Sequence, residues 1–175
     1  MTRIALLRAI NVGGHTVSME RLRGLFAELG YKNVRTLIAS GNVAFDAGAK
    51  KPIALEAAIE KHLARSLGYE VATFVRTPDE ISAILEHESF PRPVIAKAHA
   101  LWIGFLKEPP AADATRTLDA LRCATDDFHV HGRELYWLRR VTSTDSKITG
   151  SALERALGAP LTARNITTVT KLASF

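Results

Sequence analysis

Two stretches near the N-terminus and one near the C-terminus hold the residue types that could do chemistry. The first, Arg8-Ala-Ile-Asn11-Val-Gly13-Gly14-His15, sets paired glycines beside an arginine and an amide. Such glycines enter backbone conformations closed to other residues, so successive N–H groups can converge on an anion. Arg8 adds a fork of donors, and Asn11 an amide that could flank the nest. The competing account is a loop that needs left-handed torsions, with Asn11 satisfying its own backbone. The run is not a P-loop, since no Gly-Lys-Ser/Thr follows it, and no Gly-x-Gly-x-x-Gly occurs in the chain.

The second stretch is Ser40-Gly41-Asn42, in a tight turn. The third is Thr162-Ala-Arg164-Asn165-Ile-Thr-Thr168-Val-Thr-Lys171-Leu172. There Arg164 precedes a predicted helix whose first amides are free, a favourable place for phosphate or carboxylate. With Asn165 as cap, Thr168 and Lys171 fall roughly along one face. In the alternative account Asn165 only caps, and Lys171 is a solvated charge near the helix C-terminus.

Other candidates are thinner. His129 and His131 alternate on one strand as metal ligands can, but nothing stands at a spacing that closes a site, so no metal and no cofactor is expected. Trp102, Phe105, Tyr136 and Trp137 invite comparison with base-stacking sheets, yet the RNA-recognition run is absent and strand aromatics usually belong to the core. Asp126 and Asp127 are adjacent on a strand and point to opposite faces, which argues against a two-carboxylate hydrolase. Ser40 lacks the Gly-x-Ser-x-Gly setting of a nucleophile elbow. No catalytic residue is assigned.

Composition narrows the class. Of 175 residues 47% are hydrophobic and 23% charged, an ordinary globular balance. The segment Met1–Ile10 is too short in apolar residues for a signal peptide or membrane span, and no membrane partner is expected. One cysteine, Cys123, excludes an internal disulfide and suits a reducing, cytoplasmic compartment. The net charge is +5, and residues 133–175 hold seven Lys/Arg against three acids. Such an excess favours phosphate-bearing partners, small molecule or nucleic acid, by steering.

The elements that must position these residues read in order. A strand over 4–9 leads to a helix on Met19, Leu22, Leu25, Phe26 and Leu29, capped by Ser18 and closed by Gly30. Strands 34–38 and 43–45 form a hairpin, and a helix from Pro52 to Gly68 precedes a strand over 71–75. Thr77-Pro-Asp-Glu80 is a capping box for a short helix, and Ser89-Phe-Pro-Arg-Pro93 breaks both periodicities. The order then repeats: strand 99–106, helix 113–122, strand 128–130, turn 131–133, strand 135–139, helix 146–157, a strand near 161–163 and a last helix capped by Asn165. The expectation is an α+β chain of two ferredoxin-like βαββαβ halves packed together by internal duplication, over 1–90 and over 97–175, the second with an extra C-terminal helix. Apolar residues on both faces of strands 4–7 and 71–75 require both faces of the sheet to be covered.

Arg8-Ala-Ile-Asn-Val-Gly-Gly14, Met19, Leu22, Val34-Arg-Thr-Leu-Ile-Ala-Ser-Gly-Asn-Val-Ala-Phe45 and Thr162-Ala-Arg-Asn-Ile-Thr-Thr-Val-Thr-Lys-Leu172 together resemble the bacterial DUF1697 family, a domain of unknown function. The resemblance implies ferredoxin-like topology and brings no activity with it. Ala9 stands where the family has glycine, Leu37 and Ala39 where it has an aromatic residue and glutamine, and Ile166 where it has tryptophan. Arg8, Asn11, Gly13, Gly14, Ser40, Gly41, Asn42, Arg164, Asn165, Thr168 and Lys171 match motif positions, and the expectation is that they gather into one polar surface.

Three functions fit these observations. The first is binding of a phosphorylated or anionic ligand at that surface. The second is a structural or interaction protein whose motifs serve only turns and packing. The third is an enzyme using Arg or Lys charge stabilisation, for which His15 is the nearest proton-transfer group in sequence.

Overall fold

The structure is a computed structural model that describes residues 1–37 and 41–175. The chain divides into two compact units, Met1–Ser82 with Lys171–Phe175, and Ala83–Thr170.

The first unit runs β1 (Thr2–Leu7), α1 (Met19–Glu28), β2 (Lys32–Leu37), β3 (Asn42–Asp46), α2 (Pro52–Leu67) and β4 (Thr73–Arg76). Local chemistry sets the helix ends. The Ser18 hydroxyl accepts from the Arg21 amide at 3.1 Å and opens α1. Gly68, at φ 81°, closes α2 in the left-handed conformation that a residue without Cβ enters freely. The strands pair antiparallel in the order β2-β3-β1-β4, the ferredoxin-like arrangement. One sheet face contributes Ala5, Leu7, Val43, Phe45 and Val75 to a core with Leu22, Leu25 and Phe26 of α1 and Leu55, Ile59 and Leu63 of α2. The opposite face is covered as well, since Ile4, Leu6, Ala44 and Phe74 are all fully buried.

α3 (Pro78–Glu86) begins on the predicted capping box, with the Glu80 amide donating to Thr77 Oγ1 at 3.0 Å and the Thr77 amide to Glu80 Oε2 at 2.7 Å. A short helix, α4 (Arg92–Lys97), follows where the two prolines argued against one. Pro91 is its N-cap and Pro93 lies in its first turn, where no amide hydrogen is needed and the ring's fixed φ suits the helix.

The second unit repeats the order with β5 (Ala100–Phe105), α5 (Ala112–Asp119), β6 (Asp126–His131), β7 (Glu134–Arg139), α6 (Gly150–Leu157) and β8 (Thr162–Asn165), followed by α7 (Ile166–Leu172). Its strand order, β6-β7-β5-β8, is that of the first sheet. Its core joins Leu135 and Trp137 to Leu118 of α5 and to Leu153, Ala156 and Leu157 of α6. Phe105, Tyr136 and Trp137 are at most 7% exposed, so these aromatics belong to packing and offer no base-stacking surface.

Helix glutamates meet the outer rim of β4 and the residue that leads into β8. Glu60 Oε1 accepts from the Thr73 amide and Glu56 Oε1 from the Val75 amide, both at 2.8 Å. In the second unit Glu154 Oε1 accepts from the Leu161 amide at 3.0 Å. Charged acceptors one helical turn apart thus take the place of a further strand. Glu56→Ala is expected to lower unfolding stability by about 1.5–3 kcal/mol, because a buried amide loses its charged acceptor. Urea unfolding checks this, and a midpoint unchanged from wild type would refute it.

Candidate functional site

The β1–α1 loop leaves the sheet at Arg8 and turns at once, with Ala9 at φ 57° and Gly13 and Gly14 at 65° and 87°. Alanine in the left-handed region is strained by roughly 1–2 kcal/mol, which fits a position that the resemblance gives to glycine. The loop is pinned from inside. Asn11 Oδ1 accepts from the Val17 amide at 2.7 Å, and Asn11 Nδ2 donates to the Val17 carbonyl at 3.3 Å. Tyr69 Oη donates to the Ile10 carbonyl at 2.9 Å, and its ring stacks on His15 with centroids 3.9 Å apart. Between these ties Gly13, Gly14, His15 and Val12 are exposed, while Ile10 and Val17 anchor the ends in the core.

The β2–β3 turn meets this loop. The Leu7 amide donates to the Gly41 carbonyl at 2.8 Å, and Asn42 pairs with Leu6 across the strands. Gly41 is at φ 74°, and a Cβ built there would lie 2.7 Å from Ile10 Cγ2. The first two motifs are therefore neighbours. Asn42 is fully buried and donates through Nδ2 to the Leu37 carbonyl at 3.1 Å, so its amide serves the turn. Ser40 lies outside the described residues.

The third motif has different duties. Arg164, on β8 of the second unit, is 7% exposed and donates through Nη1 to Thr162 Oγ1 at 2.8 Å and to the Ala163 carbonyl at 2.9 Å. Burial lowers its pKa to about 10, which leaves it charged at neutral pH. Asn165 Oδ1 accepts from the Thr167 amide at 3.0 Å, as a cap does. Thr168 is half-buried on α7, and Lys171 is exposed in the C-terminal segment that belongs to the first unit.

Sequence reasoning missed three features. Arg76 is fully buried on β4 opposite Ile4, as Arg164 on β8 lies opposite Ile103, so the two arginines hold matching places in the two halves. The repeat, followed strand by strand, could have found it. Asp126 is fully buried, and its carboxylate accepts from Trp137 Nε1 at 2.8 Å, Ser146 Oγ at 2.9 Å and Thr125 Oγ1 at 2.7 Å. Ser146 is thereby drawn out of the helix predicted over 146–157, and α6 starts after Thr149, whose side chain accepts from the Ala152 amide. Finally, His87 joins His129 and His131 on the second sheet, with His87 and His131 rings stacked at 3.9 Å. Among the described residues no three His, Cys, Asp or Glu side chains form a metal-binding group, and no helix is long and apolar enough to cross a membrane.

The architecture is that of an α+β protein of two similar halves, each a four-stranded antiparallel sheet with helices in the order βαββαβ. The family model described as "Protein of unknown function (DUF1697)" matches residues 1–136, and the chain belongs to that family. Arg164, Asn165, Thr168 and Lys171 fall outside the matched stretch. The chain is also similar in structure to a conserved bacterial protein from Streptococcus pneumoniae, with a TM-score of 0.76 at 23% identity over 99% of this chain and 97% of that one. At that identity the likeness establishes the fold. No curated protein matches the sequence.

Proposed function

We propose that the protein is a binding module for an anionic group, presented by the β1–α1 loop of the first unit with Arg8, Asn11, Gly13 and Gly14 beside Gly41 and Asn42. The observation that carries the reading is the stapling of an exposed loop. Asn11 ties its far end to Val17, Tyr69 ties its near end at Ile10, and the glycine amides between them stay at the surface. A loop ordered before its ligand arrives loses little further entropy on binding. The basic net charge and Arg8 suit a phosphate-bearing small molecule or a nucleic-acid backbone. A reducing, cytoplasmic setting belongs to the same reading and rests on the lone Cys123.

The test is thermal unfolding against inorganic phosphate, a nucleotide panel and a short oligonucleotide. A ligand at a hundred times its Kd is expected to add about 2.7 kcal/mol, and Arg8→Ala to abolish that gain. A steep fall of affinity with salt assigns nucleic acid, and weak salt dependence assigns the small molecule. Lys171→Gln in the same assay tests membership of the third motif. A melting point unmoved by every ligand would overturn the proposal.

A second reading, a structural or interaction role, draws on the burial of Asn42 and Arg164 and on their hydrogen bonds to neighbouring backbone. It predicts that Asn42→Ala lowers stability and leaves every ligand response as it was. For the enzymatic reading the group nearest in sequence that could move a proton, His15, is stacked on Tyr69.

A further inference from the structure

We propose that His87, His129 and His131 form a proton-operated latch that holds the segment 83–90 on the sheet of the second unit at neutral pH and releases it in mild acid. Among the described residues the segment is attached to that sheet at several points. Tyr136 Oη donates to the Ile84 carbonyl at 3.1 Å, and His87 Nε2 and His129 Nε2 share a hydrogen bond of 2.9 Å. His87 also stacks on His131, and Phe90 meets the His129 ring edge-on at 6.3 Å. The His87 ring also meets the Tyr136 ring at 5.1 Å, so every one of these attachments but the Tyr136–Ile84 hydrogen bond passes through an imidazole.

The geometry separates a shared proton from a shared metal. The His87 and His129 centroids stand 5.1 Å apart and the nitrogens 2.9 Å, a difference of about two ring radii, so the rings meet nearly head-on. That is the alignment of N–H···N; two ligands of one ion converge on it at an angle. Such a bond holds one proton. The neutral pair can take one proton at the outer nitrogen of the donor ring and keep the bond, but once both rings are imidazolium both facing nitrogens carry hydrogen and the bond must break.

Desolvation and neighbouring cationic groups oppose that second proton and outweigh the carboxylates around the cluster. On β6 the same face carries Asp127, and β7 sets Tyr136 opposite His129 and Glu134 opposite His131. Arg122 adds a positive charge near His129. Glu86 and Glu88 flank His87 in the chain and are exposed. Desolvation first, then the charges of His131 and His129, lower the pKa of His87; desolvation, then His131 and Arg122, lower that of His129. Both are thus depressed from the ordinary value of 6.5. A depressed folded-state pKa gives stability that is complete above 6.5 and is withdrawn as the pH falls through the folded values.

The experiment is hydrogen exchange on the intact chain, corrected for intrinsic rates, between about pH 7.5 and about pH 5. Protection of the amides in 84–90 is expected to fall about tenfold per pH unit for each proton taken up, ahead of the β1 and β3 amides of the first unit. The double variant His87→Gln, His129→Gln keeps polar side chains without the titration, and its protection is expected to stay level. Equal protection of wild type at both ends of the range, or the same step in the double variant, would overturn the latch. Should that variant misfold, ring NMR of the wild type decides: one coupled transition for His87 and His129 supports the shared proton, and two independent ones refute it.

Discussion

Asp126→Ala is expected to cost about 3–5 kcal/mol, a large part of the stability of an ordinary domain. Three donors lose their acceptor together. The Trp137 indole N–H, the Ser146 hydroxyl and the Thr125 hydroxyl all converge on this carboxylate, which has no exposure to water. Removing one partner of a buried network leaves the others desolvated and unpaired, which costs more than the bond alone was worth. Asp126→Asn sharpens the test, because it keeps an acceptor for Trp137 while the hydroxyls can rotate to accept from the new amide. It is expected to retain at least half of the lost stability. Urea unfolding followed by tryptophan fluorescence measures both variants, and an alanine variant within about 1 kcal/mol of wild type would refute the network's importance.

Gly41→Ala is expected to destabilise by about 2–4 kcal/mol, combining left-handed strain with a collision. At φ 74° the new Cβ would meet Ile10 Cγ2 at 2.7 Å, Leu7 Cβ at 3.0 Å and the Leu7 carbonyl at 3.3 Å. Two of these neighbours are fixed by the β1 backbone, so little can give. Gly13→Ala is the control, since φ is 65° there and nothing lies within 4 Å of the built Cβ. It is expected to lose only the torsional part, about 1 kcal/mol. Comparing the two separates close approach from conformation, and equal losses would show that the contact with Ile10 is relieved without cost. The Gly41 variant is also expected to weaken any ligand response of the β1–α1 loop, because the loop starts from Leu7 and Ile10.

What the sequence revealed was chiefly local chemistry. Ser18, Gly68 and the Thr77–Glu80 box mark helix ends because cap and amide lie within one turn of each other. The repeated order of strands and helices followed from periodicity, and the two sheets share one strand order. Readings failed where a partner is distant in the chain. Ser146 looked like helix until Asp126, twenty residues earlier, claimed its hydroxyl. His129 and His131 lacked a companion in sequence because His87 arrives from 42 residues away. For the candidate site, the contact between the first two motifs comes from the pairing of β1 with β3, which places Gly41 against Leu7. That Asn11 and Asn42 spend their amides on local backbone was not legible, since the same residue types suit a ligand equally well.

The helix glutamates on the rims carry a consequence for behaviour at high concentration. A bare sheet margin is a template on which foreign chains can polymerise. With Glu56 and Glu60 occupying the outward amides of β4, a second molecule would have to evict two carboxylates before it could dock there. α2 thus protects solubility as well as covering the core, and a chain neutralised at both positions is expected to assemble into fibrous aggregates sooner than it loses its native shape.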